Sequence, residues 1–164
     1  MMRQTYETEK DRAAELEIAD CFGQRYGYQV VKRGVFDHYD FDALKGSGVV
    51  GHFECKRRYN PMSRYADFLI SMIKVNAAKT KTLPCVIVVQ WDDCIGWVRP
   101  ERVAYTKMGG RSDRDDPADR ELMAHFRLDD FYKINRGETT EGSGGPSSDA
   151  VADIRQSRDE AGEA

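Results

Sequence analysis

The sequence predicts a single mixed α+β domain, an α/β arrangement in the order helix, three strands, helix, strand, with a smaller β-rich end. Three observations carry that prediction. Apolar residues recur at helical spacing in the first 26 residues. Two segments of alternating apolar and polar residues flank Gly46-Ser47-Gly48, the pattern of a β-hairpin. Pro84-Cys-Val-Ile-Val-Val-Gln-Trp91 is a near-continuous apolar run of β-formers, as expected of a strand buried on both faces.

Each element can be read in turn. From about Glu7 to Tyr26, Ala13, Leu16, Ala19, Cys21 and Phe22 form an apolar stripe, and Gly27 is a natural stop. Tyr28 to Arg33 reads as a short strand broken by Gly34. The hairpin follows as strands of about 39–45 and 49–57, and Tyr59-Asn60-Pro61 as a loop. A second helix is expected from Ser63 or Tyr65 to Lys81, with Phe68, Leu69, Met72, Ile73, Val75 and Ala77 as its stripe. After the buried strand, Asp92-Asp93 turns the chain, Cys94 to Arg99 returns as a strand, and Arg102 to Met108 continues as another. Gly109 to Arg120 reads as a loop, Leu122 to Leu128 as an edge strand, and Asp129 to Ile134 as a short helix opening on good N-cap residues. The two core helices can cover the faces of a mixed sheet.

From Gly137 onward Gly, Ser, Thr, Asp and Glu dominate, so residues 137–164 are expected to form a disordered acidic tail beyond a domain of residues 1–136. That tail holds two basic and seven acidic residues, whereas the body holds 23 and 21. The formal net charge of −3 therefore belongs to the tail, and a weakly positive body leaves room for a local basic patch. Cys21, Cys55, Cys85 and Cys94 make no Cys-x-x-Cys pair and lie in apolar surroundings, which suggests buried reduced thiols rather than structural zinc. No signal peptide or apolar run of about 20 residues is visible, so a cytoplasmic protein with no membrane partner is expected.

The chemistry concentrates in the hairpin. Side chains alternate across a strand, so Glu54 and Lys56 share one face while Phe53 and Cys55 take the other. Asp40 and Asp42 share a face of the partner strand. Two carboxylates beside an ammonium suit a divalent cation next to a group that orients water or stabilises charge. Asp42 and Glu54 can supply the carboxylates, the main-chain carbonyl of Cys55 a third oxygen, and Lys56 the cation. Asp40 is the alternate to Asp42, which is preferred because its spacing from Glu54 gives a short hairpin. Arg57, Arg58, Arg64 and Lys74 lie close enough in sequence to contact phosphates, with Arg58 the best placed because it follows Lys56 on the same face.

The Asp42-x11-Glu54-x-Lys56 pattern on a hairpin, with the preceding helix and the following helix and strand, resembles the PD-(D/E)xK nuclease superfamily. The stretch from Tyr39 to Arg58, ending Glu-Cys-Lys-Arg-Arg, looks most like its small phage or prophage members, with Holliday-junction resolvases also in the group. The resemblance spans roughly Glu7 to Trp91 and more weakly the chain to Ile134, and no proline precedes the aspartate. It implies a restriction-endonuclease-like αβββαβ core and a nuclease that hydrolyses DNA with Mg²⁺, or Mn²⁺ as a substitute. It makes Asp42 and Glu54 metal ligands and Lys56 the catalytic lysine, and assigns Glu17 to the glutamate often found on the first helix. Glu15 competes with Glu17 but lies roughly 200° around the helix. RNA is an open alternative substrate, and a homodimer is expected if paired cuts are made.

Blander readings compete. The trio can be solvated surface charge. His52 shares the Glu54 face and is expected at the rim rather than as a ligand; His38 and His125 lack partners at ligand spacing. Cys55 should be core, and Trp91 and Trp97 core or rim packing rather than base stacking. Arg111, Arg114 and Arg120 are offset by neighbouring aspartates. The competing function is a catalytically inactive protein of the same fold that binds nucleic acid or serves in phage assembly. Clustered acids near phosphate argue against it unless a cation intervenes.

Overall fold

A computed structural model describes residues 8–34, 37–109 and 120–134. The acidic tail, the strand-to-strand loop carrying Arg111 and Arg114, and the proposed boundary at 136 fall outside those residues. Among the described residues, two α-helices and nine strands follow in the order α1 (Glu9–Tyr26), β1 (Gln29–Lys32), β2 (Phe41–Lys45), β3 (Gly48–Arg57), β4 (Asp67–Ser71), α2 (Met72–Thr80), β5 (Cys85–Gln90), β6 (Ile95–Val98), β7 (Tyr105–Gly109), β8 (Glu121–Arg127) and β9 (Tyr132–Ile134). The expected αβββαβ core and mixed sheet are present, with β4 added ahead of α2.

Helix α1 begins where the Thr8 hydroxyl accepts a hydrogen bond from the Asp11 amide while the Asp11 carboxylate accepts one from the Thr8 amide. It ends at Gly27, whose φ of 72° is the left-handed conformation that glycine adopts without strain. Its buried face, Ile18, Ala19, Phe22 and Gly23, lies on the sheet β1-β2-β3-β5-β6-β9. Only β3 and β5 run parallel in that sheet. Phe41, Ala43, Phe53, Cys55, Val86, Val88, Ile95 and Trp97 complete the layer under α1.

The opposite face is covered by α2 and a second sheet, β4-β8-β7. Phe68 and Ile70 from β4, with Ala124 and Phe126 from β8, pack on Val75, Ile87, Val89 and Val98. β5 is thus buried on both sides, as its composition predicts. Trp91 and Trp97 are both buried, and the Trp97 indole donates to the Tyr26 hydroxyl at 2.7 Å.

Four expectations are corrected. The second helix starts at Met72, because residues 67–71 pair with β8 and alternate Phe68 in, Leu69 out, Ile70 in. Ser71 caps the helix instead, its hydroxyl accepting from the Ile73 amide at 3.3 Å. Residues 121–127 form the centre of the second sheet rather than an edge. Asp129 and Asp130 belong to a single helical turn, after which Tyr132–Ile134 joins β6, with Tyr132 stacked on Trp97 at 4.6 Å. Of the cysteines, Cys55 and Cys85 are buried but Cys21 and Cys94 are only half-buried; all four are free thiols. Among the described residues, no helix is long and apolar enough to cross a membrane.

Candidate active site

The hairpin turn decides which aspartate meets Glu54. Gly46 takes φ 64°, so Gly46-Ser47 closes a tight turn with Lys45 opposite Gly48. A bulge between Ala43 and Leu44 shifts the register by one, and Phe41 then pairs with Phe53 and Asp42 with His52. Continuing that register, Asp40 stands across from Glu54. Asp42 occupies the same sheet face two residues further from the site.

Glu54 lies on the α2 side of β3 and is 1% exposed. Burial of a carboxylate is costly without partners, and two ammonium groups supply them. Lys56 Nζ lies 2.8 Å from Oε1, and Lys74 Nζ, in the first turn of α2, lies 3.0 Å from Oε2. Lys74 Nζ also donates to the His38 carbonyl, and the Tyr39 hydroxyl donates to the Lys74 carbonyl at 3.0 Å. These bonds tie the start of α2 to the segment that delivers Asp40.

The Asp40 carboxyl has its pKa pushed up to about 6, first by burial and then by the Glu54 charge. Burial works against the Lys56 ammonium, but Glu54, Asp40 and Glu15 outweigh it and raise the pKa above the ordinary lysine value. Lys56 is therefore a hydrogen-bond donor and a positive charge at neutral pH, not a proton acceptor. That favours water orientation or transition-state charge stabilisation among the roles open to it.

Helix α1 contributes Glu15 rather than Glu17. Glu15 is half-buried and acts electrostatically on Cys55 and Lys56, whereas Glu17 is exposed. Cys55 points into the α1 layer and is fully buried, and its thiol is held well above the ordinary range, by burial first. It is core rather than nucleophile, as its strand parity predicts.

Asp42 belongs to a separate cluster. Its Oδ1 accepts from Arg33 Nη1 at 2.8 Å and from His52 Nδ1 at 2.5 Å. Burial would raise its pKa, but the hydrogen bonds from Arg33 and His52 prevail and lower it. Arg33 also pairs with Asp37, at 3.3 Å, and its amide bonds the Asp40 carbonyl at 2.6 Å. The cluster braces both ends of the connection into β2. Arg33 was not among the sequence candidates; the register that puts Val31 opposite Asp42 is the signal that points to it.

The basic residues separate by engagement. Arg58 donates to the Leu69 carbonyl at 3.2 Å and its guanidinium covers the Phe68 ring at 5.0 Å. Arg57 pairs with Asp92 at 2.8 Å and lies 4.4 Å from the Tyr59 ring centre. Both guanidinium groups are engaged within the fold. Arg64 is exposed, its guanidinium 5.9 Å from the ring centre of exposed Tyr65. Lys74 is drawn into the acidic site.

The donor set suits a hard divalent cation: two adjacent carboxylates, with the Cys55 carbonyl between Glu54 and Lys56. Among the described residues, no cluster of three or more His, Cys, Asp or Glu side chains is arranged as a cage. A Mg²⁺-type ion needs none, since one or two carboxylates with waters and phosphate oxygens complete its shell.

No curated protein matches the chain. A solved structure of the Holliday junction resolvase Hjc from Archaeoglobus fulgidus is similar, at 11% identity and a TM-score of 0.48, over 75% of this chain and 87% of that one. Residues 1–134 match the family described as "Phage putative PDDEXK endonuclease". The chain belongs to this phage PDDEXK endonuclease family.

Proposed function

We propose that the protein is a divalent-metal-dependent nuclease that hydrolyses DNA phosphodiester bonds, with Mg²⁺ as the resident ion and Mn²⁺ as a substitute. The observation that carries the reading is the convergence of Asp40, Glu54 and Lys56 on one face of the hairpin, with Glu54 buried, Lys56 Nζ 2.8 Å from it and Asp40 across from it in register. Membership of an endonuclease family supports the reaction class.

Asp40, Glu54 and the Cys55 carbonyl would hold the ion. Bound there, it would supply charge neutralisation at the phosphate and an activated water. The Lys56 ammonium would donate to a non-bridging phosphate oxygen and stabilise the developing charge there. Glu15, from α1, adds to the negative charge by which first Glu54 and then Asp40 hold the Lys56 proton. Arg64, exposed on the β3–β4 connection, contacts the backbone and positions it without reading sequence.

The test is a panel of duplex, single-stranded, flapped and four-way DNAs, with an RNA strand alongside, incubated with Mn²⁺ or Mg²⁺. Cleavage of at least one DNA, abolished by EDTA and reduced about 10²–10³-fold by Lys56→Ala, is expected. The substrate cut fastest decides between a structure-specific enzyme and a general one. An inactive nucleic-acid-binding or assembly protein would instead bind without metal and cut nothing.

A further inference from the structure

The two oxygens of Glu54 are both engaged by ammonium groups, and the two are not equivalent. Lys56 belongs to the same strand and reaches Oε1. Lys74 comes from a different element, takes Oε2 at 3.0 Å and donates to the His38 carbonyl beside Asp40. Lys74 therefore stands between Glu54 and the segment carrying Asp40, where a cation bridging the two carboxylates would need to sit. A divalent ion at Glu54 would lie close to the Lys74 ammonium, and the repulsion between the two positive charges weakens the hold of Glu54 on each. The side chain of Lys74 is 21% exposed, so it has a solvent route along which to swing aside.

We propose that Lys74 is an exchangeable internal cation: it competes with the divalent ion for Glu54 and, when displaced, becomes a phosphate contact. This rests on the metal-dependent reading above. Alone, the protein holds the ion weakly, since loading means breaking the Lys74–Glu54 pair. With nucleic acid present, the freed ammonium gains a phosphate oxygen, so the ion and the polymer each tighten the binding of the other, as linkage requires. Metal loading is thereby gated by substrate through one side chain.

The experiment measures Mn²⁺ binding to the full chain by the loss of the free-ion electron paramagnetic resonance signal. Wild type, Lys74→Gln, Lys74→Met and Glu54→Gln are compared, each with and without a phosphorothioate-backbone DNA that resists cleavage. Lys74→Gln keeps a donor for the His38 carbonyl and guards against a folding defect in Lys74→Met. Both Lys74 variants should bind Mn²⁺ at least about tenfold more tightly than wild type without DNA, and DNA should tighten Mn²⁺ binding in wild type but much less in the variants. A merely structural lysine would not give a gain of affinity on removal. Equal or weaker Mn²⁺ binding by both Lys74 variants, with Glu54→Gln still abolishing it, overturns the proposal and leaves the metal site standing. Mn²⁺ binding that Glu54→Gln does not change, or no Mn²⁺ binding by wild type with or without DNA, overturns the metal reading and the proposal with it.

Discussion

Replacing Asp40 and Asp42 separately by asparagine should move stability in opposite directions. The Asp40 pKa rises from 3.8 to about 6, by burial and then by the Glu54 charge. At about 1.4 kcal/mol per unit, that shift corresponds to about 3 kcal/mol. Asp40 keeps part of its surface in water, and screening reduces the figure to about 1–2 kcal/mol. A carboxyl whose folded pKa is raised contributes stability below its unfolded pKa and loses it as pH rises through the folded value. Asp40→Asn cannot ionise, so it should be more stable than wild type above about pH 6, and the gap should close by about pH 4. In melting temperature the gain is roughly 3–8 °C. Asp42→Asn has the opposite sign. Its carboxylate is held low by Arg33 and His52, and the amide leaves both partners poorly matched, at about 1–2 kcal/mol.

Activity should invert that order. Asp40→Asn removes a proposed metal ligand and should slow Mn²⁺-supported cleavage about 10²–10³-fold, whereas Asp42→Asn should keep most of its activity below its melting temperature. The assays are metal-free thermal melts by circular dichroism from pH 4 to 8 and DNA cleavage at a temperature where every variant is folded. An Asp40→Asn protein less stable than wild type at pH 7.5, or active while folded Asp42→Asn is dead, would refute the register argument.

Three further outcomes follow from the geometry. Glu15→Gln should lower the cleavage rate by about tenfold or more, while Glu17→Gln, altering an exposed residue, should stay within about twofold in the same assay. Because the ion binds the ionised acid, apparent Mn²⁺ affinity should fall about tenfold per pH unit below about pH 6 and level off above it; a flat titration calorimetry profile from pH 5 to 7 would contradict this. Thr8→Ala removes both hydroxyl bonds of the α1 cap and should cost about 1 kcal/mol in urea unfolding without changing the cleavage rate.

Much of the chain was legible as sequence because its signals are local. The Gly27 stop, the apolar run of β5 and the parity of Glu54, Lys56, Phe53 and Cys55 depend only on neighbours along the strand or helix. Parity also placed both Asp40 and Asp42 on the site face. It could not choose between them, since a two-residue slip in register preserves the face. The Gly46-Ser47 turn and the bulge at Ala43/Leu44 made that choice. Glu15 and Glu17 are separated by helix geometry, but only the docking of Ile18, Ala19 and Phe22 on the sheet says which one is half-buried and which exposed. β4 reads as helix in sequence because its pairing partner, β8, lies some fifty residues away, and hydrogen bonds at that separation leave no mark on local spacing. Lys74 is the fullest case: as sequence it is one more basic residue, and its contact with Glu54 exists only because β4 and α2 fold back over β3. Residue types and periodicity alone determined the chemistry this chain has available. Long-range strand register and helix docking decided which of two aspartates, two glutamates and several lysines stand nearest Glu54, because those contacts are set by tertiary packing that a local pattern does not encode.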